Sequence, residues 1–377
     1  MTVILYVDAL KKSYLDNGVL PNTFAVLNDH GFSGTVEQSW GFCERSEFLS
    51  GVQGIEPQSL AAISYNGFVP NKATYFFLSI TENVFCFLGK INVRIEKTLR
   101  YRVWKILQKV KKTDTKPYFI PFPQIFSVCL TEDRYDNDHY LQLNSQINKT
   151  NFDFDFEFFT NLKMQTDVSD ITKLNKLKAK EHNKNVILLV YLSTMDTLGH
   201  SNGSDFENIK LGALEFDIEL SQYLKKLFFE REEVLIVGDH GMHQVVQDVN
   251  IIKLISRNNL FKLWFKENVI FHFIDSTMLR LWCARDVEVD FMRKEALAFD
   301  VFEAIEEHWE NGLKLVVCKC KEGIKLTPDF FNGNNTIKGM HGYNPKLFDA
   351  LGFYWSNKKI ECNNGAIKLG ELLSKFL

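Results

Sequence analysis

The chain has 377 residues, 45% of them hydrophobic and 24% charged, which is a globular composition too long for one small core, so one large α/β domain with an inserted or appended lobe is expected. A formal net charge of −3 gives no global attraction to nucleic acid or to an anionic membrane. An anionic substrate would therefore have to be met by local charge, which a metal site supplies.

Along the chain, Val3 to Val7 is a short apolar run that meets Asp8 and then Lys11 and Lys12. It reads as a buried strand and not as a signal peptide, which needs a basic start, a longer apolar stretch and a small-residue cleavage site; a cytosolic location is expected. Ala73 to Ile91 is apolar but interrupted by Glu82, Asn83 and Lys90, so no transmembrane helix is predicted. Asn83 to Lys112 is helical in pattern and carries Lys90, Arg94, Lys97, Arg100, Arg102, Lys105, Lys109, Lys111 and Lys112. It is read as an amphipathic helix on a cap lobe with a solvated basic face, in preference to a peripheral membrane or polyanion contact. Asn151 to Phe159 alternates acid and Phe like a half-buried strand, and is placed in the same lobe, over residues 75–180.

Val186 to Leu192 and Val234 to Val237 repeat the pattern of the first run, apolar and ended by a polar turn, as central strands of a parallel sheet do. Beyond them, Val269 to Phe273, Met278 to Ala284 and Leu313 to Val317 read as strands and Met292 to Trp309 as a helix, together a small α+β insert over residues 250–335. Residues 1–75, 180–250 and 335–377 remain for the α/β core. The seven cysteines are scattered without a Cys-x-x-Cys pair, the pattern of reduced thiols, and Cys318 and Cys320 fit a strand edge better than a metal knuckle. The 33 phenylalanines are read as core filling.

In parallel sheets, ligands sit beyond the carboxyl ends of the strands, and Asp8, Asp196 and Asp239 each stand at or just past such an end. Asp196 and His200 are four apart in Asp196-Thr197-Leu198-Gly199-His200, so one helical turn brings both to a single ion. Asp239 and His240 are adjacent between a strand and Gly241. His341 lies between Gly339 and Gly342, which let the backbone pass close to a neighbour. Each of these is common alone. Together with Asp8 they form a carboxylate and imidazole set suited to a divalent ion such as Zn²⁺ or Mn²⁺.

The order of these motifs resembles the alkaline phosphatase superfamily, in particular its type I phosphodiesterase/nucleotide pyrophosphatase branch, and the matches run from Asp8 to Tyr343. The resemblance implies a mostly parallel sheet sandwiched by helices. It also implies one metal held by Asp8, Asp239 and His240 and a second by Asp196, His200 and His341, with zinc expected before manganese. Such ions bind phosphoryl oxygens and activate a nucleophile. The implied activity is hydrolysis of a small phosphorylated substrate, a phosphodiester first and a phosphomonoester next. Transfer to an alcohol on a phosphorylated glycan or lipid-type substrate is the alternative, and a non-catalytic phospho-ligand-binding member belongs to another class.

The match departs where the family places its attacking Thr or Ser. The corresponding segment is Gly41-Phe42-Cys43-Glu44-Arg45-Ser46-Glu47-Phe48-Leu49-Ser50-Gly51, and counting back from Gly51 lands on Gly41. Cys43 becomes the first candidate nucleophile, since a helix start beside a metal favours thiolate, with Ser39 and Ser46 as rivals and metal-activated water as the alternative. The missing Pro in Cys43-Glu44-Arg45-Ser46 argues against a sulfatase. Arg45 is a candidate for holding a phosphoryl oxygen bidentately, and Asn66 for binding an oxyanion, beside the plainer readings of a surface ion pair and an Asn-Gly turn.

Overall fold

The computed structural model describes residues 1–28, 31–53, 63–65, 72–92, 95–96, 98–103, 106, 128–130, 137–147, 153–157, 168–179, 186–255, 257–259, 261, 270–283, 289–310, 312–327, 337–362 and 365–377. They form two compact units: Met1–Ile55, Tyr135–Val246 and Thr336–Leu377 make the first, and Glu56–Arg134 with Gln247–Asn335 the second.

The first unit is built on a seven-stranded sheet of β1 (Thr2–Val7), β2 (Phe32–Glu37), β3 (Asp153–Glu157), β4 (Val186–Leu192), β5 (Glu233–Val237), β6 (Gly352–Ser356) and β7 (Ala366–Lys368). Their spatial order is β7-β2-β6-β5-β1-β4-β3. All pairings are parallel except those of β6, which runs against both β2 and β5. The register sets Val7 beside Leu192 and Tyr6 beside Val237, so β1, β4 and β5 end at one edge.

Alternate residues of these strands feed two cores. Val3, Leu5, Leu188, Val190, Val234 and Ile236 pack on one face, against α1 (Lys12–Asp16), α2 (Pro21–Asn28), and the helices Asp170–Ala179 and Phe206–Phe229. Ile4, Tyr6, Ile187, Leu189, Leu235 and Val237 pack on the other, against α3 (Glu44–Ser50), α4 (Asn137–Leu143) and the C-terminal helix Leu369–Phe376. Burial on both faces is why the central strands are unbroken apolar runs. The expected mostly parallel sheet sandwiched by helices is the observed architecture.

Two boundaries differ from the sequence expectation. β3 lies within the segment expected in a cap lobe, but it pairs in parallel with β4, and Phe154 and Phe156 pack beside the core of Ile4, Leu189 and Leu235. Residues 135–180 therefore belong to the sheet-bearing unit, while 56–134 and 247–335 form the other.

That other unit contains a four-stranded antiparallel sheet, in order Ile270–Asp275, Met278–Cys283, Leu313–Cys320 and Phe302–Glu310. The helix expected over Met292 to Trp309 is instead a helix, Val289–Leu297, followed by the strand Phe302–Glu310. Gly312, at φ +78°, turns the chain so that Phe302–Glu310 pairs with the following strand, and this hairpin ladder overrides the acidic helical pattern. Cys318 and Cys320 lie on a strand, but one paired on both sides, with Met278–Cys283 and Phe302–Glu310, so both are buried inside the sheet and not at the expected edge. The helix Lys72–Ile91 exposes Phe76, Phe77, Ile80, Val84, Phe87 and Ile91, and Arg100 pairs with Glu82 and Glu96. Lys90, Arg94, Lys97, Lys105, Lys109, Lys111 and Lys112, of the expected basic face, lie outside the described side chains. Among the described residues no helix is long and apolar enough to cross a membrane.

Candidate metal centre

Asp8 follows β1 directly, and its backbone N–H donates to the Leu192 carbonyl oxygen at 2.8 Å, tying the ends of β1 and β4 together. After β4 the chain enters α5 (Thr194–Asn202), whose first turn is held from outside. Asp170 accepts from both the Thr194 N–H and its hydroxyl, each at 2.7 Å, and Lys173 anchors Asp170 at 2.7 Å. One turn of α5 then sets His200 Nε2 3.2 Å from Asp196 Oδ1, the proximity expected from their spacing.

Asp239 is reached through Gly238, where a side chain is impossible: a Cβ there would stand 1.9 Å from the Leu10 carbonyl oxygen. Its Oδ1 accepts from the N–H groups of Ala9 and His240, both at 3.0 Å, and its Oδ2 from the Tyr6 hydroxyl at 2.9 Å. Tyr191 donates likewise to Asp8 Oδ2. Tyr6 and Tyr191 are register partners on neighbouring strands, so one rung of the sheet supplies a phenol to each carboxylate. The sequence held a signal for this: a Tyr in a buried apolar strand needs an acceptor.

His341 arrives on a separate segment. Gly339–Met340 pairs with His243–Gln244, which places His243 in a short strand, with its ring edge-on to Tyr343. The Gly339 carbonyl oxygen lies 2.8 Å from His200 Nδ1, and the Gly241 carbonyl oxygen 2.8 Å from His240 Nδ1. A carbonyl only accepts, so Nδ1 carries the proton in both rings, and in the neutral imidazole Nε2 presents a lone pair. Those Nε2 atoms face carboxylates: His240 Nε2 lies 3.0 Å from Asp8 Oδ1 and 3.7 Å from Asp239 Oδ2, and His200 Nε2 faces Asp196. Metal-ligating histidines are oriented in this way by an acceptor at the second nitrogen.

Among the described residues, three groups have ligand atoms all within 4.8 Å of one another: Asp8, Asp239 and His240; Asp196, His200 and His341; and Glu44, His240 and His341. The first two are the sets expected from sequence. The third contains Glu44, which sequence reasoning passed over; its one signal was its place in the segment searched for a nucleophile. Asp8 Oδ1, Glu44 Oε1, Asp196 Oδ1 and His341 Nδ1 are buried atoms with no hydrogen-bond partner among the described residues. Buried oxygens and nitrogens in that state call for a cation between them, and the donor set of carboxylate and imidazole fits a divalent metal.

The charges show the same demand. Burial, with Asp239 and Asp196 nearby, pushes the Asp8 carboxyl up to about 7. Burial likewise holds Glu44 well above the usual carboxylate range. Burial disfavours charge on His240 and His200, but the carboxylates outweigh it, chiefly Asp239 for the first, which is raised well, and Asp196 for the second, raised to about 9. His341 is held well below the ordinary imidazole value by burial and then by the charge of His240. Without metal, protons neutralise this cluster.

The other sequence candidates are placed as follows. Cys43 is buried at the residue before α3, its thiol donating to the Trp40 carbonyl oxygen at 3.7 Å, and it belongs to none of the three ligand groups. The Ser46 hydroxyl donates to the Cys43 carbonyl oxygen at 2.7 Å. Ser39 is half-buried, with its N–H donating to Glu47 Oε2 at 3.1 Å, and Arg45 is half-buried in the first turn of α3. Asn66 lies outside the described residues.

Carboxylates and imidazoles gather at the carboxyl edge of a mostly parallel sheet, in groups that could hold divalent ions, as expected of a phosphoesterase in the alkaline phosphatase superfamily. The chain belongs to the type I phosphodiesterase/nucleotide pyrophosphatase family, whose model matches residues 2–344, and is a phosphoester hydrolase. Members of the family are metal-dependent and act on small phosphorylated substrates. The fold is similar to that of murine ectonucleotide pyrophosphatase/phosphodiesterase 5, with a TM-score of 0.61 and 12% identity over 99% of this chain and 93% of that one. The human counterpart gives 0.61 and 11% over 99% and 92%. So does an inactive form of the murine protein in complex with AMP, at 0.61 and 11% over 99% and 92%. No curated protein matches the chain.

Proposed function

We propose that the chain hydrolyses phosphodiesters through two divalent ions, one held by Asp8, Asp239 and His240 and the other by Asp196, His200 and His341, with zinc the resident metal before manganese. The observation that carries this reading is the pair of imidazoles, His240 and His200, each tied through Nδ1 to a carbonyl and presenting Nε2 to carboxylates. When bound, such ions neutralise the phosphoryl oxygens and stabilise both entering and leaving groups. The protein's own contribution is to hold the ligands: Tyr6 and Tyr191 fix two carboxylates, and Asp170 fixes the turn that carries Asp196.

Attack is assigned to water. The thiol of Cys43 and the hydroxyl of Ser46 each donate to a backbone carbonyl, which supports the view that neither side chain is poised to attack phosphorus. Arg45 is assigned to a phosphoryl oxygen of the substrate. The complex of the murine relative with AMP supports a nucleotide-type diester as the first substrate class to assay.

The test is hydrolysis of bis-p-nitrophenyl phosphate against p-nitrophenyl phosphate by metal-stripped protein with Zn²⁺ or Mn²⁺ restored. Diesterase activity that returns with metal and is lost in Asp239→Ala supports the reading. A protein that binds two ions yet leaves both substrates intact would overturn it.

A second reading, transfer to an alcohol on a lipid-type substrate, is favoured by the exposed apolar row Phe76, Phe77, Ile80, Val84, Phe87 and Ile91. Co-sedimentation with anionic vesicles tests it. Absence of binding would remove the observation that favours it.

A further inference from the structure

We propose that Glu44 is a seventh ligand of the metal centre, standing between the residue sets of the two ions. The proposal rests on the two-metal reading above. Among the described residues, Glu44 alone joins the two sets, since its group takes His240 from the first and His341 from the second. The residue is 7% exposed, and its Oε1 has no hydrogen-bond partner among the described residues. That oxygen lies 3.5 Å from His341 Nδ1, a nitrogen in the same state.

The neighbouring acid shows what a structural carboxylate looks like in the same turn. Glu47 is fully buried, and its Oε2 accepts from the Ser39 N–H at 3.1 Å, joining the start of α3 to the segment that leads into it. Glu44 has no such bond to the fold from Oε1. It faces imidazoles on the strand ends instead, where a buried carboxylate oxygen is stable only against a cation or a proton. Cys43, one residue earlier, turns its thiol toward Trp40. The residue that α3 presents to the centre is the acid.

The rival role for Glu44 is to accept a proton from His341 Nδ1 and so orient that ring. Glu44→Gln separates the two, because the amide oxygen can still accept that proton but is a poor metal ligand. Metal content after dialysis, competition with a chelator, and the visible absorption of the Co²⁺-substituted protein are measured for wild type and Glu44→Gln, with Glu44→Asp as a second variant that keeps the charge and shortens its reach.

Wild type is expected to hold two ions. Glu44→Gln is expected to lose one, or to bind it more than about 100-fold more weakly, beyond the loss from removing a group that only orients a ligand. The Co²⁺ spectrum should change with it, and Glu44→Asp should fall between. Thermal unfolding without metal shows whether each variant is folded. Two ions retained by Glu44→Gln within tenfold of wild-type affinity, with an unchanged spectrum, would overturn the proposal and leave the two-metal reading standing. A wild-type protein that binds no ion would overturn both.

Discussion

His240 and His341 stack face to face, with ring centroids 3.7 Å apart and an interplanar angle of 6°. Two buried imidazolium rings cannot share that arrangement, and the surroundings push the two rings apart: burial and the charge of His240 hold His341 well below the ordinary imidazole value, whereas Asp239 and Asp8 outweigh burial and raise His240. The stack brings the ends of two chain segments about a hundred residues apart into one centre.

Removing one ring should divide the centre. His341→Ala is expected to release the ion assigned to Asp196 and His200 and to keep the one assigned to Asp8, Asp239 and His240. Activity should fall by more than about 1000-fold, since an ion supplies several kcal/mol of transition-state stabilisation. Elemental analysis of the purified variant checks the stoichiometry, and retention of both ions would contradict the assignment.

Metal uptake should release protons. With Asp8 raised to about 7 and His200 to about 9, both groups hold protons near neutrality that an ion must displace. Affinity is therefore expected to weaken as pH falls from about 9 to below 7, and calorimetry in buffers of different ionisation enthalpy should report net release. Uptake with no proton exchange would show that the ligands are already deprotonated.

The stability of the metal-free protein should carry the opposite mark. Asp8 has a folded value of about 7 against an ordinary 3.8, so between these values the folded state binds more protons than the unfolded state. Stability then falls as pH rises through that window, by up to about 4 kcal/mol at about 1.4 kcal/mol per unit. Asp8→Asn should raise the melting temperature of stripped protein at pH about 8, leave it nearly unchanged at pH about 4, and lose the stabilisation that metal gives wild type. Thermal unfolding at the two pH values decides this.

The phenols should matter through the carboxylates they hold. Tyr6→Phe and Tyr191→Phe each delete a donor to Asp239 or Asp8 without changing ring volume. Metal affinity is expected to drop about 10–100-fold in each, with the fold intact by circular dichroism. A chelator competition that shows no change in either variant would remove the orienting role.

Gly339→Ala tests the close approach behind His200. The new Cβ would lie 2.3 Å from the Gly199 carbonyl oxygen, so the segment must shift, and the acceptor at His200 Nδ1 shifts with it. A destabilisation of about 1–3 kcal/mol is expected, together with weaker metal binding. Denaturant unfolding with and without metal measures both.

Much of this centre was visible in the chain because buried parallel strands are written as unbroken apolar runs, and Asp8, Asp196 and Asp239 follow such runs. The spacing of Asp196 and His200 needed only one helical turn to become a contact. Other parts were hidden for physical reasons. The alternation of β3 states that one face is buried but not which sheet it joins, and only pairing with β4 settles that. Glu303, Glu306 and Glu307 give Phe302–Glu310 the look of an acidic helix, and its strand form depends on a partner across Gly312. Glu44 was obscured because an acid at a helix start already has a local use.

The reversed strand β6 joins the two parts of the seven-stranded sheet. It lies between β2 and β5, so without it β7 and β2 are cut off from the rest of the sheet, and His341 is made only shortly before it. A ribosome-bound chain that has already emitted Asp8, Asp196 and Asp239 still lacks both the joining strand and the last imidazole. Closure pairs residues more than three hundred positions apart, as Gly352 does with Val36, which slows folding by raising contact order. The last of the proposed ligands is thus made only after nearly the whole polypeptide.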